Sequence, residues 1–341
     1  MGRILQAIFA LFLFFMVWTP FVRVAEAGNK GKESENSKEW TGWIEVVLAF
    51  LERLPWWSYV IFFVFVFLMG IFWLKRKKNR RGSMIANVKM NVIPGNAQHI
   101  GSRIEQQDAF GFSDISDSAF VHKYGSAVVL ADGMGGLAGG KEASQLAVQT
   151  FLDAYMSPAP VEAIGEKLLT ACHAANSAVA GLARQMGLEE GVGTTLIAAV
   201  VHHNQLFWIS VGDSRIYLLQ NGALHQLTTD HVYGRELDAK AESGEISREE
   251  ALFHPERNSL TSFIGLEKMG EVDYSVEAVP LFKGDRIILC SDGLYGSVSE
   301  AEMLAACCLD TQEAAEKMVE MALSKQKPHQ DNVTAAMLTI A

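Results

Sequence analysis

The sequence predicts an α+β fold in which two antiparallel sheets are flanked by helices, preceded by N-terminal membrane segments. Three observations carry that expectation. Beyond Ser83 short strand-like runs cluster, and helical blocks are grouped between them, unlike the regular alternation of a parallel doubly wound sheet. Asn221-Gly222, set between two such runs, is a strong hairpin signal and implies antiparallel pairing. Two long uncharged apolar runs are confined to the first 81 residues.

The first apolar run, Ile4 to Val22, is interrupted at Pro20 and followed by Ala25-Glu26-Ala27, a small-x-small pattern. Residues 1–27 therefore read either as a cleaved signal peptide or as an uncleaved first anchor. The second run, Trp56 to Leu74, is apolar on all sides, carries Trp56, Trp57 and Tyr59 at one end, and is followed by six positive charges between Lys75 and Arg81. It reads as a transmembrane helix over 56–74 with a basic linker over 75–87. Segment 28–55 is then extracytoplasmic, and the rest lies in the cytoplasm at the inner membrane, with the basic linker beside the lipid bilayer.

Charge is split along the same boundary. Residues 1–84 hold 12 basic and 6 acidic side chains, against 17 basic and 33 acidic beyond. An acidic domain of about 250 residues, large enough for a substantial core, repels polyanions; no nucleic-acid partner is expected, while divalent cations are attracted. The four cysteines, Cys172, Cys290, Cys307 and Cys308, show no C-x-x-C spacing and read as core thiols in a reducing compartment.

Along this domain Ala127 to Ala131 is a continuous apolar strand ending at Asp132, and helices are expected over Lys141–Met156 and Val161–Met186. Strands are expected at Thr194–Val201, Gln205–Val211, Arg215–Leu219 and Ala223–Leu227, with His202 to Gln205 as a solvated turn. Residues 230–265 are polar and weakly periodic, an insertion able to form a lid. A strand at Arg286–Ser291, helices at Glu300–Cys308 and Gln312–Lys325, and a strand at Val333–Ile340 complete the chain.

Asp108, Asp132, Asp292 and Asp331 each stand at the junction of a strand and a loop. Any one alone reads as a turn residue. Together, carboxylates at strand ends converge at one sheet edge, where like charges stay ionised only with a cation. Oxygen ligands without His or Cys favour Mg²⁺ or Mn²⁺.

These residues resemble the metal-dependent Ser/Thr protein phosphatases of the 2C type over about residues 88–341. The motifs occur in order: Arg103-Ile104-Glu105-Gln106-Gln107-Asp108, Asp132 to Gly136, Gly193-Thr194-Thr195, Gly212-Asp213-Ser214-Arg215, Ser291-Asp292-Gly293 and Asp331-Asn332. Asp230 to Gly265 is similar to the flap of bacterial members. The resemblance implies a four-layer α/β/β/α sandwich and two Mn²⁺ or Mg²⁺ ions. It implies that Asp132 bridges both ions, that the Gly133 carbonyl binds one, and that Asp292 with Asp331 bind the other. Asp108 would hold metal-bound water and Arg103 the substrate phosphate, so that an activated water attacks phosphorus with no covalent enzyme intermediate. Phosphorylated proteins would be the substrates and a Ser/Thr kinase the opposing activity. Three positions depart from the family pattern. Gln106 replaces the usual Asn, Met134 stands where eukaryotic members carry a His, and Gly296 stands where many have an Asp. The last leaves Asp213 as either structural or part of a third metal site.

Two other readings remain. Gly135 to Lys141 approximates a phosphate loop, but Glu142 follows where Ser or Thr would hold Mg²⁺. A catalytically silent phosphatase-like domain that only binds partners is the second, and the retained carboxylates and Arg103 argue against it.

Overall fold

A strand with no polar position between Ala127 and Ala131 must be covered on both faces. The structure, a computed structural model, describes residues 91–134, 139–157, 163–189 and 191–341. The expected membrane segments and basic linker over 1–87 lie outside the described residues, as do positions 135–138 of the phosphate-loop-like stretch. Among the described residues, no helix is long and apolar enough to cross a membrane.

The chain order is β1 (Val92–His99), β2 (Asp108–Phe112), α1 (Ser118–Tyr124), β3 (Ser126–Met134), α2 (Gly140–Met156) and α3 (Ile164–Met186). There follow β4 (Gly193–Thr194), β5 (Leu196–His202), β6 (Gln205–Val211), β7 (Arg215–Gln220) and β8 (Ala223–Gln226). The remainder is α4 (Gly234–Ser243), α5 (Arg248–Leu252), β9 (Asp273–Tyr274), β10 (Val279–Pro280), β11 (Arg286–Cys290), α6 (Asp292–Tyr295), α7 (Glu300–Ala306), α8 (Thr311–Ser324) and β12 (Val333–Ile340). One sheet runs β1-β12-β11-β7-β8; the other runs β10-β6-β5-β3-β2, with β4 added to β3 and β9 to β6.

Period-two alternation explains the layers. On β3, Val128 and Leu130 face the other sheet, where they join Ile197 and Trp208 against Ile216, Leu218, Ile287, Leu289 and Leu338. Ala127, Val129 and Ala131 point the opposite way, onto Ala143, Ala147 and Phe151 of α2 and Leu168, Ala171 and Ala175 of α3. Alanine on both sides lets helix and sheet approach closely. On the far side, Ile288, Cys290, Ala335 and Met337 of the five-stranded sheet meet Met303 of α7 and Ala314, Ala315 and Met318 of α8. Three apolar interiors between four layers give the α/β/β/α sandwich.

Local signals set several ends. Ser247 and Glu250 form a capping box that starts α5, and Ser299 and Glu302 another that starts α7. Asn221 and Gly222, both at positive φ, make the tight β7–β8 turn, and His203 and Asn204 do the same between β5 and β6. His202 is the last residue of β5 and half-buried, so only His203 is a solvated turn histidine. The expected strand Thr194–Val201 is broken at Thr195, whose N–H turns to the Asp132 carbonyl (2.8 Å). Three of the cysteines are buried and Cys308 is exposed, which corrects its reading as a core thiol.

The 230–265 insertion is more ordered than its weak periodicity implies. It contains α4 and α5, and Arg257 joins them by a two-pronged contact with Asp238 (2.8 Å for both bonds) and a bond to the Ala251 carbonyl (3.1 Å). Val232 pairs with Leu260, closing the insertion on its own base.

Because Leu130 is fully buried between the sheets, Leu130→Ala is expected to destabilise the fold by about 2–5 kcal/mol. Ile93, 46% exposed, should tolerate alanine with a much smaller loss. Urea unfolding curves of the two variants check this.

Candidate active site

Antiparallel register sets Asp108 of β2 directly opposite Asp132 of β3. Asp292 opens α6 immediately after β11, and Asp331 lies two residues before β12, so these two come from the other sheet. The carboxylates thus meet where the ends of two facing sheets come together. That corrects the expectation of a single sheet edge: the chain supplies two acids from each layer.

Asp108 spans the gap. Its Oδ2 accepts hydrogen bonds from Ser291 Oγ (2.7 Å) and Thr334 Oγ1 (2.6 Å), both on the opposite sheet's side, while its buried Oδ1 has no partner. Burial pushes its pKa up to about 6; the Thr334 and Ser291 hydroxyls oppose the rise, and Asp292 and Asp331 add to it. Asp132 is held well above the ordinary range by burial and then by Asp108, Asp292, Asp213 and Asp331. Asp292 is raised by burial and then by the neighbouring Asp331 carboxylate. The Oδ1 of Asp292 is buried without a partner. Asp213, in the loop after β6, is pushed up to about 7 by burial, then Asp292 and Asp230.

Ionised carboxylates set directly opposite one another, as Asp108 and Asp132 are, need a shared proton or a cation to offset their repulsion. The unpartnered oxygens of Asp108 and Asp292, and the raised pKa values of Asp108, Asp132, Asp213 and Asp292, fit hard divalent cations of the Mg²⁺ or Mn²⁺ kind. Among the described residues, no group of three or more Asp, Glu, His or Cys side chains stands ready to hold a metal ion. Gly133 adjoins this cluster in a place no larger residue can take: a Cβ there would lie 2.1 Å from the Gly140 carbonyl oxygen and 2.7 Å from that of Gln107.

Arg103 reaches the site from the β1–β2 loop, and its Nη2 donates to Asp331 Oδ2 at 2.5 Å. Much of its side chain remains exposed. Asn332 braces that loop: its Oδ1 accepts from the Gln107 N–H (2.7 Å), and its Nδ2 donates to the Ile100 (2.8 Å) and Glu105 (3.1 Å) carbonyls. Gln106 Oε1 lies 3.4 Å from the Asp108 N–H, a contact at the outer limit of hydrogen bonding. On the Asp132 side, Thr195 Oγ1 accepts the Asp132 N–H (2.9 Å) and Thr194 Oγ1 donates to the Asp132 carbonyl (2.8 Å).

Sequence reasoning singled out Arg103, Asp108, Asp132, Gly133, Asp213, Asp292 and Asp331, and the structure gathers them in one region. It gave no role to the hydroxyls of Ser291 and Thr334 or to the amide of Asn332. Thr334 had one available signal, being with Thr339 one of two polar residues in a mostly apolar strand. Lys141, the lysine of the phosphate-loop-like stretch, pairs with Glu105 at 3.4 Å.

An α/β/β/α sandwich with carboxylates converging between its two sheets defines a protein phosphatase of the 2C type. Residues 96–333 match the family described as Protein phosphatase 2C, and the chain belongs to that family. Among similar proteins, the serine/threonine phosphatase stp of Listeria innocua is 37% identical over 216 residues, covering 62% of this chain and 83% of that protein. The Mycobacterium tuberculosis phosphatase PstP/Ppp has a crystal structure that is 31% identical with a TM-score of 0.60, covering 74% of this chain and all but 1% of that one (99% matched). A structure of the PstP catalytic domain in complex with two manganese ions is 30% identical with a TM-score of 0.59, over 74% of this chain and 100% of that one.

Asp108 at about 6 and Asp213 at about 7 lie above the ordinary 3.8, so without metal the folded chain binds these protons more tightly than the unfolded chain. Their contribution to stability is complete below about pH 4 and is lost as pH rises through 6 and 7. In chelator, Tm is expected to be lower at about pH 8 than at about pH 5, and Asp213→Asn should narrow the gap. Mn²⁺ should raise Tm most at the higher pH, because it favours the ionised carboxylates.

Proposed function

We propose that this chain hydrolyses phosphoserine and phosphothreonine in proteins, using two Mn²⁺ or Mg²⁺ ions, and that it does so from the cytoplasmic face of the inner membrane. The observation that carries the chemistry is Asp108 set directly opposite Asp132, with a buried, unpartnered carboxylate oxygen on Asp108 and another on Asp292. Asp132, with the Gly133 carbonyl, and Asp292 with Asp331 would hold the cations, and Asp108 would orient the attacking water. Bound there, the ions supply charge neutralisation at phosphorus and a lowered pKa for coordinated water.

This chain's own residues do the positioning. Arg103 offers a planar guanidinium suited to two phosphate oxygens, and its bond to Asp331 places it beside the carboxylate cluster. Ser291 and Thr334 occupy one oxygen of Asp108, which leaves Oδ1 as the oxygen available to accept a proton from water. Asn332 keeps the Arg103 loop at a fixed distance from β12. Met134 has no titratable group, so protonation of the departing Ser or Thr oxygen falls to solvent.

The membrane location rests on Trp56 to Leu74 followed by the basic stretch, with residues 1–27 as signal peptide or first anchor. A Ser/Thr kinase of the same cell would supply the phosphoproteins. The retained set of Asp108, Asp132, Asp292 and Asp331 with Arg103 favours this enzyme reading over a silent binding domain.

Phosphate release from a phosphothreonine peptide should require Mn²⁺ and stop in chelator. Asp132→Asn and Asp292→Asn should each lower kcat by roughly a hundredfold or more. Arg103→Ala should raise KM for the peptide as well as lowering kcat. Equal inactivity of wild type and variants, or release of phosphate from ATP in preference to the peptide, would sink the reading. For location, the full chain should stay with membranes after carbonate washing, and removing residues 1–82 should make the remainder soluble.

A further inference from the structure

His231 is fully buried at the root of the 230–265 flap, and its contacts run out of the flap. The Gly212 N–H donates to His231 Nδ1 at 3.1 Å, and the His231 N–H donates to the Gly212 carbonyl at 3.0 Å. Its own carbonyl accepts the Thr261 N–H at 2.9 Å. One residue therefore joins the outgoing and returning arms of the flap to a single glycine. Gly212 has φ +104°, and a Cβ there would lie 2.7 Å from Thr195 Cγ2, so the turn is fitted tightly against Thr195.

From this turn the contacts continue inward. Ser214 Oγ and Thr195 Oγ1 are 2.8 Å apart, and Thr195 Oγ1 accepts the Asp132 N–H at 2.9 Å. Asp230, the neighbour of His231, makes a second branch. Its carboxylate accepts from Arg215 Nε (3.0 Å) and Nη2 (2.7 Å). The Arg215 guanidinium lies 3.7 Å from the centroid of the Tyr295 ring, in the short helix that begins at Asp292. Two consecutive flap-root residues thus reach both Asp132 and the helix of Asp292.

We propose that His231 is a positioning residue through which the flap fixes the Gly212–Asp213 turn and, by way of Ser214 and Thr195, the backbone of the cation-holding Asp132. The kinetic part of this rests on the phosphatase reading; the contact itself does not. The requirement at position 231 is a neutral acceptor one ring-bond from Cγ, facing the Gly212 N–H. Asparagine can place its amide oxygen there, whereas glutamine keeps bulk and polarity but carries its oxygen out toward the place of Nε2.

The test uses the full-length chain with His231→Asn, His231→Gln and Ser214→Ala, read by amide hydrogen exchange and by steady-state kinetics with Mn²⁺. In the Gln variant, exchange across Gly212–Ser214 and Asp132–Met134 should quicken about tenfold, and kcat on a phosphothreonine peptide should fall about tenfold with KM little changed. The Asn variant should stay close to wild type in both. Ser214→Ala should quicken exchange at Asp132–Met134 while Gly212 stays protected. Asn and Gln variants that behave alike, or an Asp132 segment indifferent to Ser214→Ala, would overturn the proposal. Wild type that releases no phosphate defeats the phosphatase reading instead, and the exchange pattern still decides the role of His231.

Discussion

Mutual repulsion among buried carboxylates is the constraint around which this molecule is arranged. Asp108, Asp132, Asp213 and Asp292 all have their ionised forms disfavoured, first by burial and then by neighbouring aspartates, Asp331 and Asp230 among them. Such a cluster is unstable unless rigid elements force it together and something positive occupies its centre. The fold supplies the rigidity, because each acid is attached to a strand or helix end whose other residues are locked in one of three apolar interiors. The cost of assembling the charges is then set against the packing of the whole sandwich.

The two sheets divide the work. The seven-stranded sheet sets Asp108 against Asp132 by register, while the five-stranded sheet and its short helix bring Asp292 and Asp331. Asp108 is the joint between them, since its carboxylate accepts from hydroxyls belonging to the opposite sheet. Hydroxyl donors suit this role: they satisfy one oxygen without adding positive charge that would compete with a cation for the other. Arg103 and Asn332 stand at the rim, where Arg103 remains accessible and Asn332 uses both ends of its amide to hold the loop that carries it.

Much of this was legible in the linear sequence, and the parts that were not share a cause. Elements with clear periodicity, such as the Gln205–Val211 strand or the Gln312–Lys325 helix, emerged within one residue of their expected limits, while the Ala127–Ala131 strand runs on through Asp132 to Met134. The break at Thr195 was invisible, because Thr-Thr has high strand propensity and the interruption comes from a bond to Asp132, 63 residues earlier in the chain. The flap's two helices were missed because their polar sequence lacks a sustained apolar face; they are held by the Arg257–Asp238 contact and the closure of the insertion on its base. The acidic site residues were found by type, since an aspartate after an apolar strand stands out. Ser291 and Thr334 were not, because a hydroxyl in a strand carries no sign of what it will face.

By itself the sequence determined which segments must be buried, where the chain turns, and which side chains could hold hard cations, because hydrophobic period, glycine and asparagine turns and carboxylate chemistry are local properties. Only the tertiary structure decided that the acids come from two sheets rather than one edge, that Asp108 spends one oxygen on the opposite layer, and that the flap reaches inward through His231. Those outcomes depend on strand register and sheet stacking, which bring together residues as far apart as Asp108 and Thr334 and leave no trace in the order of their neighbours.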